Sequence, residues 1–135
     1  MLCLLETCGL ELNLNPAAQN SPVVFVFTGQ GSHYAGMGSV LYDTSPVFRE
    51  TVNLCATISG EQNLPPFQDL ITQNDSAISN KTTLEVLLAI LTLEIGLAAL
   101  WRSVGVQPSV VIGHSLGEYA ALHVSGVLSL VSELF

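Results

Sequence analysis

The stretch from Val110 to Val124 constrains this chain more than any other. Val110, Val111 and Ile112 form a short β-branched run of the kind a buried strand requires. Gly113, His114, Ser115, Leu116 and Gly117 follow in the spacing G-x-S-x-G, and Glu118 to Val124 continues with helical character. Strand, tight turn and helix in that order make a nucleophile elbow, which forces the serine hydroxyl outward at the carboxyl edge of a sheet. A helix starting near Leu116 aims unpaired N–H groups and a partial positive field at the same spot, so an oxyanion formed beside Ser115 is stabilised. Two plainer readings use the same residues. Ser115 could be an ordinary helix cap, or the helix N-terminus could hold a phosphate, although no basic side chains stand nearby to help it.

The rest of the pattern supplies a sheet for that elbow. Pro22 to Phe27 is a second β-branched and aromatic run, again read as a strand buried on both faces. Ser45 caps a helix with Pro46 at its first position, and Phe48, Val52 and Cys55 form one apolar stripe ending near Gly60. Residues 60 to 80 read as loop with a short turn from Phe67 to Ile71. Thr83 to Trp101 is apolar on nearly every side, with Leu84, Leu87, Leu88, Leu91, Ile95 and Ala98 on one face. Its length would permit a membrane span, but Glu85 and Glu94 lie within it, and a charge near a bilayer centre costs about 2.5 to 3.5 kcal/mol. A buried helix is therefore expected, stopped by Gly105. The hydrophobic period switches from 2 to 3.6 and back, the signature of β-α-β units and an α/β fold with a parallel sheet flanked by helices. Residues 1–20 are expected to be irregular.

A second constellation, Thr28, Gly29, Gln30, Gly31 and Ser32, continuing to Gly36, Met37 and Gly38, directly follows the first strand. Loops leaving the carboxyl ends of parallel strands converge in one crevice. Gly29 and Gly31 would let the Gln30 N–H turn toward the oxyanion position beside Ser115. Taken alone, the segment is equally a glycine-rich turn without a catalytic donor. Its spacing is not G-x-G-x-x-G, which argues against a dinucleotide site. A general base is harder to find. His114 adjoins Ser115 and either lines the cleft or is a structural histidine. His123 lies about 12 Å down the helix, and His33, in the glycine loop, reads better as a surface or substrate contact.

Composition narrows the classes further. The 135 residues are about one domain's worth. Lys and Arg number 3 against 11 Asp and Glu, a formal charge of -8, which disfavours nucleic acid as a partner. Charged residues are 10% and apolar residues 49%, as though part of the surface normally faces more protein. Cys3, Cys8 and Cys55 have no metal-like spacing with the histidines, so no metal site is expected and the chain reads as reduced and cytoplasmic. The first 20 residues carry Glu6 and Glu11 but no Lys or Arg, unlike a secretory signal.

The runs FVFTGQGSHYAGMG, TSPVFRETVNLC and LWRSVGVQPSVVIGHSLGEYAALHVSGVLS resemble the malonyl-CoA:acyl-carrier-protein transacylase (acyltransferase) domain of iterative type I polyketide synthases, especially the fungal non-reducing kind. The resemblance covers residues 22–135. It implies that 21–135 is the N-terminal part of such a domain: part of a hydrolase-like large subdomain, without the ferredoxin-like smaller one and incomplete at its C-terminus. It further implies Ser115 as nucleophile, the backbone N–H groups of Gln30 and Leu116 as the oxyanion hole, and His114, Gly29 and Gly31 against the acyl substrate. No permanently bound cofactor is implied. Malonyl-CoA or a related acyl-CoA thioester would be the substrate. The implied partners are an acyl carrier domain bearing phosphopantetheine, the remainder of the acyltransferase domain and the adjoining synthase domains.

Three departures qualify that implication. The family's general-base histidine and its carboxylate-binding arginine would both lie beyond Phe135, and Leu87 stands where a site glutamine is common. Leu130 to Phe135 reads as a helix without a visible stop. The expectation is therefore an acyltransferase fragment, poorly soluble and largely inactive alone. The alternatives are a non-catalytic remnant or interaction fragment, and a serine esterase-type hydrolase, which shares the elbow but also needs a later acid and histidine.

Overall fold

In the computed structural model, residues 22–31, 33–74 and 80–130 are described. The expected irregular segment 1–20, Cys3 and Cys8, Ser32 of the glycine loop, and the helix expected at 131–135 lie outside them. Two strands, β1 (Val24–Phe27) and β2 (Val110–Gly113), pair in parallel with Val24 opposite Val110 and Phe27 opposite Gly113. Between them run α1 (Ser39–Thr44), α2 (Pro46–Glu61), α3 (Gln68–Thr72) and α4 (Thr83–Ser103), and α5 (Gly117–Val124) follows β2. This is the expected α/β arrangement of a parallel sheet with helices.

Both strands depart from the reading that they are buried on two faces. Phe27 is buried and Phe25 packs against the core, whereas Val26 is 68% and Ile112 53% exposed, and Val24 and Val110 are exposed too. Side chains alternate across a strand. The described helices therefore cover one face of this sheet and leave the other to solvent.

The core lies where α2 and α3 meet α4. Ser45 caps α2 as expected, its Oγ accepting the Phe48 N–H at 3.3 Å. Phe48, Val52 and Cys55 are fully buried, and the helix runs one residue past Gly60 to Glu61. Phe48 reaches α4 because Gly96 has no side chain: a Cβ there would stand 2.8 Å from the Phe48 ring. Along α4 the expected stripe is buried at Leu88, Leu91, Ile95 and Ala98, whereas Leu87 is only half-buried. Leu84 is 43% exposed, standing in the first turn ahead of the buried stretch that begins at Val86.

The start of α4 carries a signal that the sequence reading passed over. Thr82 and Glu85 form a capping box, with the Thr82 Oγ accepting the Glu85 N–H at 3.3 Å and the Glu85 carboxylate accepting the Thr82 N–H at 2.8 Å. Lys81 adds charge, its ammonium 2.7 Å from Asp69 of α3 and 3.2 Å from Glu85. Gly105, at φ 91°, closes the other end as expected. Further along α4, the Glu94 carboxylate accepts two hydrogen bonds from Thr28, its N–H at 2.8 Å and its hydroxyl at 3.3 Å, tying the helix to the end of β1.

Two expected outcomes follow from this packing. Phe48→Ala empties a fully enclosed ring site and should cost about 3–5 kcal/mol, against about 1 kcal/mol for Thr82→Ala at the cap. Urea unfolding of the two variants should rank them in that order, and a reversed ranking would misplace the core. The second outcome concerns pH. Burial pushes the Glu94 carboxyl above its ordinary value of 4.5, opposed by the two Thr28 bonds that pull it down. The folded state then holds that proton more tightly than the unfolded state. Its contribution is complete below 4.5 and is lost as pH rises through the raised value. Glu85, held low first by the Thr82 N–H, acts in the opposite sense: its contribution is lost as pH falls. Relative to Glu94→Gln, the wild-type chain should therefore lose stability across the weakly acidic range as pH is raised. Parallel curves for the two proteins would contradict this.

Candidate active site

β2 ends at Gly113 and α5 begins at Gly117, leaving His114, Ser115 and Leu116 to turn the chain from strand to helix. Ser115 makes the turn at φ 56°, in the left-handed region that non-glycine residues seldom occupy. Holding such a residue there costs of order 1–3 kcal/mol and persists only where the surroundings over-determine it. Here they do. The Gly117 N–H donates to the His114 carbonyl at 3.0 Å, the Glu118 N–H to the Ser115 carbonyl at 3.1 Å, and the His114 N–H to the Phe27 carbonyl at 3.2 Å.

The glycines of the motif are dictated by space. A Cβ on Gly113 would overlap the Gly117 carbonyl, and one on Gly117 would stand 2.5 Å from the Phe27 oxygen and 2.7 Å from that of Thr28. The first turn of α5 thus rests directly on the end of β1. The same contact brings the glycine loop to the serine. A Cβ built on Gly29 would lie 3.4 Å from the Ser115 Cβ, 3.3 Å from the His114 carbonyl oxygen and 3.5 Å from the His114 Nδ1. The two loops that the sequence reading expected to converge are therefore neighbours at one edge of the sheet.

Each candidate residue has a definite place in this arrangement. Ser115 and His114 are exposed, Gly29 is half-buried, and Gln30 and Gly31 are exposed in the turn that follows, Gly31 at φ 116° with no described atom within 4 Å of where its Cβ would stand, its chain neighbours aside. Leu116 is half-buried with helical angles at the N-cap of α5. Among the described residues, no acceptor takes the N–H of Gln30 or of Leu116. His33 is half-buried, and its Nδ1 has no hydrogen-bond partner among the described residues. His123 sits at the far end of α5, where burial lowers its pKa, a bond with the Leu128 backbone opposes this and the Arg102 charge adds to it. That end of the helix is remote from Ser115.

Glu94 is the site-adjacent residue that the sequence reading did not assign. The signal available in the sequence was an acidic residue inside the most apolar run, a residue type that is almost never buried unless paired, and the structure leaves Glu94 8% exposed. Beside it, along β1 and α4, lies a cavity of about 340 Å³ lined by Phe27, Met37, Leu93, Leu97 and Trp101. It flanks the loop that carries Gln30 and does not include Ser115. No group of three or more His, Cys, Asp or Glu that could hold a metal occurs among the described residues.

Comparison with known proteins agrees with this geometry. The acyl transferase domain family model matches residues 24–134. Non-reducing polyketide synthase ZEA1 of Gibberella zeae is 83% identical over 121 residues, which is 90% of this chain and 6% of that protein. The loading acyltransferase of the avermectin modular polyketide synthase is 44% identical with a TM-score of 0.76, over 83% of this chain and 35% of that one. A malonyl-transacylase solved in complex with its type II polyketide synthase acyl-carrier protein is 31% identical with a TM-score of 0.71, over 84% of this chain and 36% of that one. The chain thus spans a small part of the curated synthases and about a third of the solved domains. The resemblance to fungal non-reducing polyketide synthases is borne out, and the chain belongs to the acyl transferase domain family.

Proposed function

We propose that this chain carries the nucleophile half of a site that moves an acyl group from malonyl-CoA, or a related acyl-CoA, to an acyl carrier protein in polyketide biosynthesis. The observation that carries the reading is Ser115 turned outward at φ 56° with Gly29 packed against it. The Ser115 Oγ attacks the thioester carbonyl, forming a C–O bond, and the C–S bond breaks to release coenzyme A as its thiol. The phosphopantetheine thiol of the carrier then attacks the seryl ester, and the serine hydroxyl is regenerated. Splitting transfer into two such steps is what a covalent intermediate achieves. The proton leaving Ser115 in the first step needs a base, which the family resemblance places beyond Phe135.

In both steps negative charge develops on the carbonyl oxygen. The N–H groups of Gln30 and Leu116, which no acceptor among the described residues takes, are our candidates to receive it. Each donor of this kind is worth about 10²–10³ in rate. His114, with Gly29 and Gly31, lines the place where the acyl group would sit. The malonyl-transacylase in complex with its carrier protein supports a carrier as the acceptor here. The same reading takes the reaction to be cytoplasmic, with the remainder of the acyltransferase domain and the other synthase domains as partners.

Incubation with malonyl-CoA should add one malonyl group to this chain, on Ser115, as read by intact mass and peptide mapping. The rate for residues 1–135 alone should be several powers of ten below that of a complete domain, the size of effect that removal of one triad member has. Ser115→Ala should abolish the adduct. Labelling elsewhere, or ester hydrolysis with no response to malonyl-CoA, would move the assignment to a hydrolase. Gly117→Ala drives a methyl into the Phe27 and Thr28 carbonyls and should lower the acylation rate by about 10²-fold, the effect of an ångström-scale misplacement. Circular dichroism of the same sample shows whether the fold is retained, and an unchanged rate would separate the elbow contact from reactivity.

A further inference from the structure

Glu94 is expensive where it stands. It is 8% exposed within the apolar run of α4, its Oε1 takes both Thr28 hydrogen bonds, and its Oε2 is buried with no partner among the described residues. A half-satisfied buried carboxylate is a poor way to stabilise a helix that already packs through Ile90, Leu91 and Ile95. What it holds is more telling. Thr28 is the single residue between the end of β1 and Gly29. On its other side, its carbonyl oxygen lies 2.7 Å from where a Gly117 Cβ would stand. Thr28 is therefore held at both of its peptide units, its N–H by the Glu94 carboxylate and its carbonyl against the first turn of α5. The next residue, Gly29, is the neighbour of Ser115, close enough that a Cβ on it would lie 3.4 Å from the Ser115 Cβ, and the one after it carries the Gln30 N–H.

We propose that Glu94 is a positioning residue for acyl transfer, holding Thr28 so that the Gly29–Gly31 turn keeps the Gln30 N–H in register with Ser115. The inference rests on the reading of Ser115 as the nucleophile. An apolar side chain at this position would fill the space, but it would leave the Thr28 N–H and hydroxyl without the acceptor that fixes the turn. A neutral amide would keep an acceptor oxygen in the same place.

The test uses the Gibberella zeae synthase with its matching 121-residue stretch replaced by this sequence, so that a complete domain turns over. Glu94→Leu should lower kcat for malonyl transfer to the carrier by about 10²-fold with little change in KM for malonyl-CoA. Glu94→Gln should recover most of the loss. Thr28→Val, which removes the 3.3 Å bond and keeps the N–H bond, should lose a few-fold, and should lose nothing further in the Glu94→Leu background. An unchanged kcat in Glu94→Leu overturns the proposal. So does a kcat that falls only in proportion to a lowered melting temperature, or one that Glu94→Gln fails to recover. If Glu94→Leu does not fold, Glu94→Gln and Thr28→Val decide, and equal activity of Thr28→Val and wild type overturns it. Ser115→Ala in the same graft separates the two levels: full transfer without that serine removes the nucleophile reading itself, whereas a dead Ser115→Ala beside a fully active Glu94→Leu removes only the role of Glu94.

Discussion

The contact of Gly117 with the Phe27 and Thr28 carbonyls is the constraint on which the site depends. It is a backbone-on-backbone contact, closer than any side chain allows, and it joins the start of α5 to the end of β1, while the close approach of Gly113 to the Gly117 carbonyl adds the end of β2. Because it leaves so little room, the turn between β2 and α5 has to be short, and a short turn places Ser115 at positive φ with its side chain outward. The strain at Ser115 is thus a consequence of packing already fixed elsewhere. Parallel pairing of the two strands then sets both following loops at one edge, and the glycine loop meets the serine without a dedicated interaction between their side chains.

The helical core ties that edge to the rest of the fold. Phe48 sits against Gly96 near the middle of α4, and Glu94, two residues earlier, reaches Thr28. Two neighbouring positions of one helix therefore grip opposite parts of the structure, α2 by apolar contact and the end of β1 by hydrogen bonds. In a protein interior packed like an organic crystal, such contacts transmit displacement. Under the positioning role proposed for Glu94, the placement of α4 is coupled to that of the Gln30 turn.

Much of this was legible in the sequence, for reasons that differ from residue to residue. The elbow could be read because its requirements are local: β-branched residues before, glycines at the points of overlap, a helix after. The Ser45 cap, Pro46 and the Phe48, Val52 and Cys55 stripe were readable for the same reason. α1 was not anticipated, since Ser39 to Thr44 has no fully buried residue and packs on the core only through the adjacent Leu41 and Tyr42, too short a run to show a stripe. Leu84 was placed on the buried face because periodicity says which side of a helix a residue occupies, not where along the helix its neighbours begin. The role of Glu94 was hidden because its partner lies 66 residues away, and a lone acidic residue in an apolar helix reads first as an argument against a membrane.

The strands show the same limit from the other side. A run such as Val23, Val24, Phe25, Val26 and Phe27 reports how much burial it is suited to, and cannot report what supplies it. The described helices cover Phe25, Phe27 and Val111 but leave Val26 and Ile112 in solvent. Both faces of these strands are composed like a core, yet only one is treated as one here. The low share of charged residues fits that composition, since a chain whose sheet is meant to be covered twice has fewer positions on which charge is needed. The site lies at the edge of the sheet, not on the bare face. Its geometry follows from the covered face, the strand pairing and the glycine contact, all of which lie within the described residues.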